Sequence, residues 1–401
     1  MDKQLARRIG ERVRFYRVAA GKTQPVTAGL AGITVDYLYQ IERGTKLPTI
    51  SVLADLANVL KQPVDALLHH VPTPPRRTAE ATGDELHRAL TFPVTETCTT
   101  SPDEVNAAIA VAWHEWQTSP HRYSQLTRTL PRLVTMVEGA LAAHCSPSEA
   151  ASRQQVHRHA ADLYALVRTV AKRLGRADLS LLAADRAIRA AEVADDSSRL
   201  AVARWNLAQV LLASGELAGA EALAMHGIEE LANTTADDSA DVLALRGSLL
   251  LVAAIAAARR GDRWVARDRL HLAEFLARCT GERNTLWTAF GPTNVRMFAV
   301  SVEVETGDGA EGLRLAEQID HDRSPSIERR VALLLDQAKG YEQRRDFMGA
   351  LVMLAAAERQ APEDVRHRPA AHAVLRQLVQ RGRRTLAGEA ARIAVRAGVP
   401  L

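Results

Sequence analysis

The stretch GKTQPVTAGLAGITVDYLYQIERGTKLPTISVLADLANVLKQPVDALL, Gly21 to Leu68, decides how the first part of this chain folds. Its small polar residues stand where helices need an N-cap, because a side-chain oxygen there satisfies an otherwise unbonded N–H of the first turn. Thr23 opens a helix running to about Ala31, broken by Gly32, and Thr34 opens the next, Val35 to Arg43, closed by Gly44. Thr49 or Ser51 begins another, Val52 to Leu60, and Pro63 suits the first turn of a short one ending near Leu68. Upstream, Leu5, Ile9, Val13 and Phe15 or Tyr16 recur with the helical period and predict a helix from Leu5 to Ala19. The expectation is a domain of five short helices over residues 1–70.

Thr23-Gln24, Ala28, Gly32, the Leu38 and Ile41 pair, Glu42-Arg43-Gly44, Pro48 and the Leu53, Leu56, Ala57, Leu60 stripe together resemble the XRE (phage Cro/CI-like) helix-turn-helix family. A departure is Val26-Thr27, where that family usually has a polar residue and then a leucine. The resemblance implies that the Val35–Arg43 helix lies in the major groove of DNA while the helix before it crosses the backbone. Tyr37, Leu38 and Ile41 share the side expected to face the core, which turns Thr34, Val35, Asp36, Tyr39 and Gln40 towards base edges. The Gln40 amide suits a bidentate pair with adenine, Asp36 an acceptor role towards cytosine N4, and the Val35 methyls a thymine methyl. Asp36 equally suits the first turn of its own helix, where a carboxylate meets the positive end of the dipole. Gln24, Arg43 and Lys46 match family positions that touch phosphates, contacts that set register without reading sequence.

Charge points the same way. Residues 1–70 carry ten Lys/Arg against six Asp/Glu, whereas the other 331 residues carry 41 of each, so the whole formal charge of +4 sits in the first sixth of the chain. A basic module releases counterions when it neutralises phosphates, which is what DNA binding requires. With 47% hydrophobic and 24% charged residues the composition fits a globular protein of two or three domains, and its Ala and Leu excess favours helices. Cys98, Cys145 and Cys279 have no disulfide or zinc spacing, the N-terminus has no apolar signal segment, and Leu249 to Ala258 is about half a membrane span. A cytoplasmic protein with no membrane partner is expected.

A connector, HHVPTPPRRTAE, starts at His69, and residues 71–102 read as a linker. Beyond it, over residues 103–401, four segments share a pattern of apolar helix, turn and second helix, with turns at Gly215, Gly261, Gly307 and Arg345 spaced by 46, 46 and 38 residues. A small residue precedes each turn by seven places (Ala208, Ala254, Val300, Ala338) and another follows it by five (Ala220, Ala266, Gly312, Ala350). A more degenerate unit surrounds LGRADLSLLAADRAI, 174–188. The pattern resembles tetratricopeptide (TPR) repeats, although the period is longer than the usual ~34 residues and the family's Trp and Pro are mostly missing. The fold class expected is therefore all-α, the helix-turn-helix domain followed by a TPR-like right-handed solenoid of roughly seven helical hairpins with a concave inner face. XRE domains followed by such arrays resemble a group of actinobacterial regulators, and the plan, though not the residues, is similar to the Rap and PlcR type of peptide-responsive regulators.

The concave face is expected to hold an effector site, with Asn206 and Asn294 able to clamp a peptide backbone, Trp205 and Trp287 as apolar floor with Phe290, and Arg296 for a carboxylate. Trp and Phe in so aromatic-poor an array equally suit its core. Adjacent His69-His70 side chains diverge, as do His157 and His159, so no metal is expected. No phosphate-cradling Gly loop, Gly-x-Ser-x-Gly or His-Glu-x-x-His occurs, and no cofactor or enzymatic activity is expected. The resulting expectation is a transcription regulator that dimerises on an inverted-repeat operator in double-stranded DNA and responds to a peptide or small-molecule effector or a protein. Its rival is a TPR-like interaction adaptor whose N-terminal domain binds DNA only weakly.

Overall fold

The computed structural model describes residues 3–68, 79–92, 101–144, 150–234 and 239–399, and among them it contains 21 α-helices and no strand. His69-His70, most of the connector, Cys98, Cys145 and Glu149 lie outside the described residues. The chain forms two compact units, one joining Met1–Arg76 with Tyr341–Leu401 and one covering Arg77–Gly340.

The first unit opens with α1 (Lys3–Ala19), α2 (Gln24–Leu30), α3 (Val35–Glu42), α4 (Ile50–Leu60) and α5 (Val64–Leu68). Thr23, Thr34 and Thr49 cap the middle three, their hydroxyls accepting from the N–H of Val26, Tyr37 and Val52. Ile9, Val13, Ala28, Leu38, Ile41, Leu53, Leu56 and Leu67 are all buried. Each large apolar side chain withdrawn in this way contributes about 1.5–3 kcal/mol. Tyr37 departs from its expected core place and is half-buried, because only Leu38 and Ile41 point directly under the helix. Glycine lets α1 and α3 approach closely: a Cβ on Gly10 would stand 2.1 Å from the Ile41 carbonyl oxygen, and one on Gly44 (φ 69°) 2.5 Å from the Cα of Arg7. At the unusual Val26-Thr27 pair, Val26 is half-exposed and Thr27 is buried, its hydroxyl without a hydrogen-bond partner among the described residues.

The second unit contradicts the expected linker in part. Within residues 71–102 lies α6 (Ala79–Thr91), whose Leu86 and Leu90 enter the hydrophobic core. Paired helices follow: α7 (Pro102–Thr118) with α8 (Arg122–Ala143), α9 (Ala150–Arg173) with α10 (Ala177–Val193), α11 (Ser197–Ser214) with α12 (Leu217–Thr234), α13 (Ala240–Arg260) with α14 (Arg263–Thr280), and α15 (Pro292–Glu305) with α16 (Gly309–Ala316). Then comes α17 (Ile327–Gln343). This is the TPR-like array. Gly215, Gly261 and Gly307 turn the chain at φ 84°, 90° and 89°, and all eight expected small positions are buried. Among the described residues one helix, α13, is long and apolar enough to cross a membrane, but 78% of that stretch is buried inside the protein, where it contributes to the array's core.

The remaining helices are α18 (Phe347–Gln360), α19 (Pro362–His367), α20 (Pro369–Arg381) and α21 (Arg384–Ala397). They belong to the first unit with the N-terminal helices, although their sequence reads as a continuation of the array. Helix α21 packs on α1, with Gly388 close to the Val18 carbonyl, its Ala387, Ala390, Ala391 and Ala394 are buried, and Arg14 donates from Nη2 to the Gln380 carbonyl at 3.2 Å.

Candidate nucleic-acid interface

Helix α3 holds two kinds of residue on opposite faces. Leu38 and Ile41 have no exposed surface and fix the helix against α1, while Thr34, Val35, Asp36 and Tyr39 are exposed and Gln40 is partly so. Thr34 is also the N-cap, so its hydroxyl is engaged with the helix it begins. Gln40 donates from Nε2 to Asp36 Oδ2 at 2.7 Å, one turn earlier on the same face. The pair uses one N–H of the Gln40 side-chain amide and one Asp36 oxygen, so the amide keeps its oxygen and a second N–H, and Asp36 its other oxygen, as a preset pattern of donors and acceptors. Arg43 donates from Nη1 to the Tyr39 hydroxyl at 2.9 Å, a bond that raises the guanidinium's already high pKa. The Lys46 ammonium lies 5.6 Å from the centre of the Tyr37 ring. Both cations stay exposed and are held by aromatic neighbours.

Gln24 is placed differently from a free surface residue. Its Nε2 donates to Glu42 Oε2 at 2.8 Å, and Glu42 accepts two further bonds from Arg17, at 2.5 Å from Nε and 2.9 Å from Nη2. Arg17 also donates to the Lys22 carbonyl. The carboxylate thus joins α1, α2 and α3 at one buried point and sets the angle at which α3 is presented. Sequence reading takes Glu42 as a landmark and misses this role, since nothing local marks Arg17 as its partner.

The five residues expected to form an effector site are not brought to one surface. Asn206 is fully buried, and among the described residues neither its Oδ1 nor its Nδ2 has a hydrogen-bond partner. Asn294 is also buried and accepts from Arg329 Nε at 2.9 Å. Arg296, two residues further along α15, is exposed, because that spacing puts the two side chains on opposite sides of a helix. Trp287 stacks on Trp113 with ring centres 4.9 Å apart and planes 3° from parallel, so it belongs to the core. The cavity beside it is about 10 Å³, too small for more than a single water. Trp205 is half-buried against the neighbouring cluster, and Phe290 packs on Gly247 with no exposed surface. Gln117 and Asn284 exchange bonds of 3.1 and 2.8 Å and help hold the Trp287 loop to α7. Among the described residues no group of three His, Cys, Asp or Glu is gathered as a metal site would need.

The sequence matches to known proteins are short, and the domain match falls within the first unit. A model of the helix-turn-helix domain matches residues 8–71. The uncharacterized HTH-type transcriptional regulator YazB of Bacillus subtilis is 41% identical over 58 residues, 14% of this chain and 84% of YazB. Among solved structures, Bacillus thuringiensis PlcR in complex with the peptide PapR7 and DNA is 13% identical, with 68% of this chain and 95% of that one covered and a TM-score of 0.29. Apo ComR from S. thermophilus is also 13% identical, over 90% and 97% of the two chains, with a TM-score of 0.16.

Proposed function

The chain belongs to the HTH-type transcriptional regulators, and on that premise we propose that it binds a specific inverted-repeat operator as a homodimer, through α3, in the cytoplasm. The observation that carries this reading is the outer face of α3: exposed Val35, Asp36 and Tyr39 with Gln40 beside them, on a helix locked from below by Leu38, Ile41 and Glu42. Thr34, Val35, Asp36, Tyr39 and Gln40 contact bases, while Arg43, Lys46 and the remaining N–H of Gln24 contact phosphates. That built recognition face favours DNA over an adaptor role. Replacing Gln40 with Ala is expected to cost roughly 1–3 kcal/mol on the operator, found by mapping bound genomic sites, and far less on random DNA. Equal losses on both would show that Gln40 does not read sequence.

The array is read as the dimerising and sensing half. A second copy is supported by α14, where Trp264, Leu272 and Phe275 are 77%, 57% and 58% exposed along one helical side. Sensing of a peptide or small molecule is supported by Asn206, a buried side-chain amide with no hydrogen-bond partner among the described residues.

A further inference from the structure

The balanced charge of the chain beyond residue 70 conceals a second basic segment. Residues 371–401 hold six arginines against a single acidic residue, Glu389. Helices α20 and α21 carry this excess, and in the first unit α21 lies against α1 while α20 packs on α21 and accepts from Arg14 at the Gln380 carbonyl. Together the two segments line an open cleft of about 1280 Å³. Arg8, Arg14 and Lys22 come from its N-terminal side and Arg376, Arg384 and Arg392 from its C-terminal side. Its two acidic residues are already engaged, Glu42 with Arg17 and Glu11 with Arg7. Arg392 pairs with Glu389, whereas Arg376 and Arg384 are exposed and have no carboxylate partner among the described residues. The cleft also runs into the DNA-facing surface, since Gln24, Tyr39 and Arg43 form part of its wall.

We infer that α20 and α21 are a second phosphate-binding surface, so that the DNA backbone leaving the recognition helix continues along an arginine-lined cleft built jointly with α1. The inference rests on the DNA-binding reading. Cations gathered in a cleft whose wall includes Gln24 and Arg43 suit a polyanion, and on the DNA-binding reading duplex DNA is the polyanion that meets that wall. Arginine suits the task because its planar fork bonds two phosphate oxygens at once. These contacts contribute affinity and lengthen the footprint without choosing bases.

The test uses the full chain with random-sequence duplex DNA about three helical turns long, titrated at several salt concentrations. The double variant R376A/R384A is expected to flatten the dependence of log binding constant on log salt by up to about 1.8, near 0.9 for each lost phosphate contact. The charge-reversed R376E/R384E is expected to weaken binding further, and on a duplex carrying the mapped operator backbone footprinting of either is expected to lose protection only at the flank. Both residues are exposed, and an unchanged helical circular-dichroism signal and melting temperature certify the fold. A wild-type salt slope and footprint in both variants would overturn the inference, as would a loss confined to free nucleotides with duplex binding intact. The DNA-binding reading fails separately, if the wild-type chain does not bind duplex at all or if R43A/K46A binds as wild type does.

Discussion

Two buried residues show how one residue type or position can carry opposite meanings. Glu42 is buried and fully partnered by Arg17 and Gln24, so its charge serves the geometry of the DNA-reading domain. Asn206 is fully buried and its amide has no hydrogen-bond partner among the described residues, which in a folded core costs about 1–3 kcal/mol. A cost of that kind is retained when the group acts in a second state, here when a ligand or a shift of α11 gives the amide its bonds. Asn206→Leu, close in shape but without polar atoms, is therefore expected to raise stability in urea by about 1–3 kcal/mol. It is also expected to leave operator binding by the purified protein unchanged and to abolish the response of an operator-driven reporter in cells. A variant less stable than wild type would show that the amide is structurally bonded, and one that still responds would remove Asn206 from sensing.

At the scale of elements, sequence legibility follows how local the determining interaction is. The caps at Thr23, Thr34 and Thr49 and the turns at Gly215, Gly261 and Gly307 depend on neighbours a few residues away, and each is visible as spacing. The expected effector residues do not share one surface, because helical positions two places apart face opposite ways, as Asn294 and Arg296 do. The union of α20 and α21 with α1 joins residues more than 360 positions apart, such as Arg14 and Gln380, and no periodicity encodes it. Within the repeat pattern, Arg345 occupies the turn where the other units have glycine and adopts φ 60°, a left-handed conformation that an L side chain resists by roughly 1–2 kcal/mol. Arg345→Gly removes that strain but loosens the unfolded chain, and a net gain of about 0.5–1 kcal/mol is expected by chemical denaturation. A loss would mean that the arginine side chain holds the α17–α18 turn by its own contacts.

For the molecule as a whole, the decisive quantity is how many copies reach DNA together. One recognition helix covers a half-site of a few base pairs, and the specific affinities typical of regulators come from two half-sites about one helical turn, 34–36 Å, apart. A two-fold dimer supplies that spacing with a single self-complementary surface. On the array, the exposed Trp264, Leu272 and Phe275 of α14 provide an apolar strip of the composition such surfaces use, with an aromatic anchor at its most exposed point. Trp264→Ser together with Phe275→Ser is expected to convert a dimer into a monomer in sedimentation at micromolar concentration. Because α3 is untouched, the monomer should retain binding to one half-site while losing at least tenfold in affinity for the full inverted repeat, about 1.4 kcal/mol or more. If the double variant sediments as wild type, α14 is not the contact. If the wild-type chain is monomeric with and without DNA, the dimeric reading itself fails, and the array's part in regulation must act within a single copy.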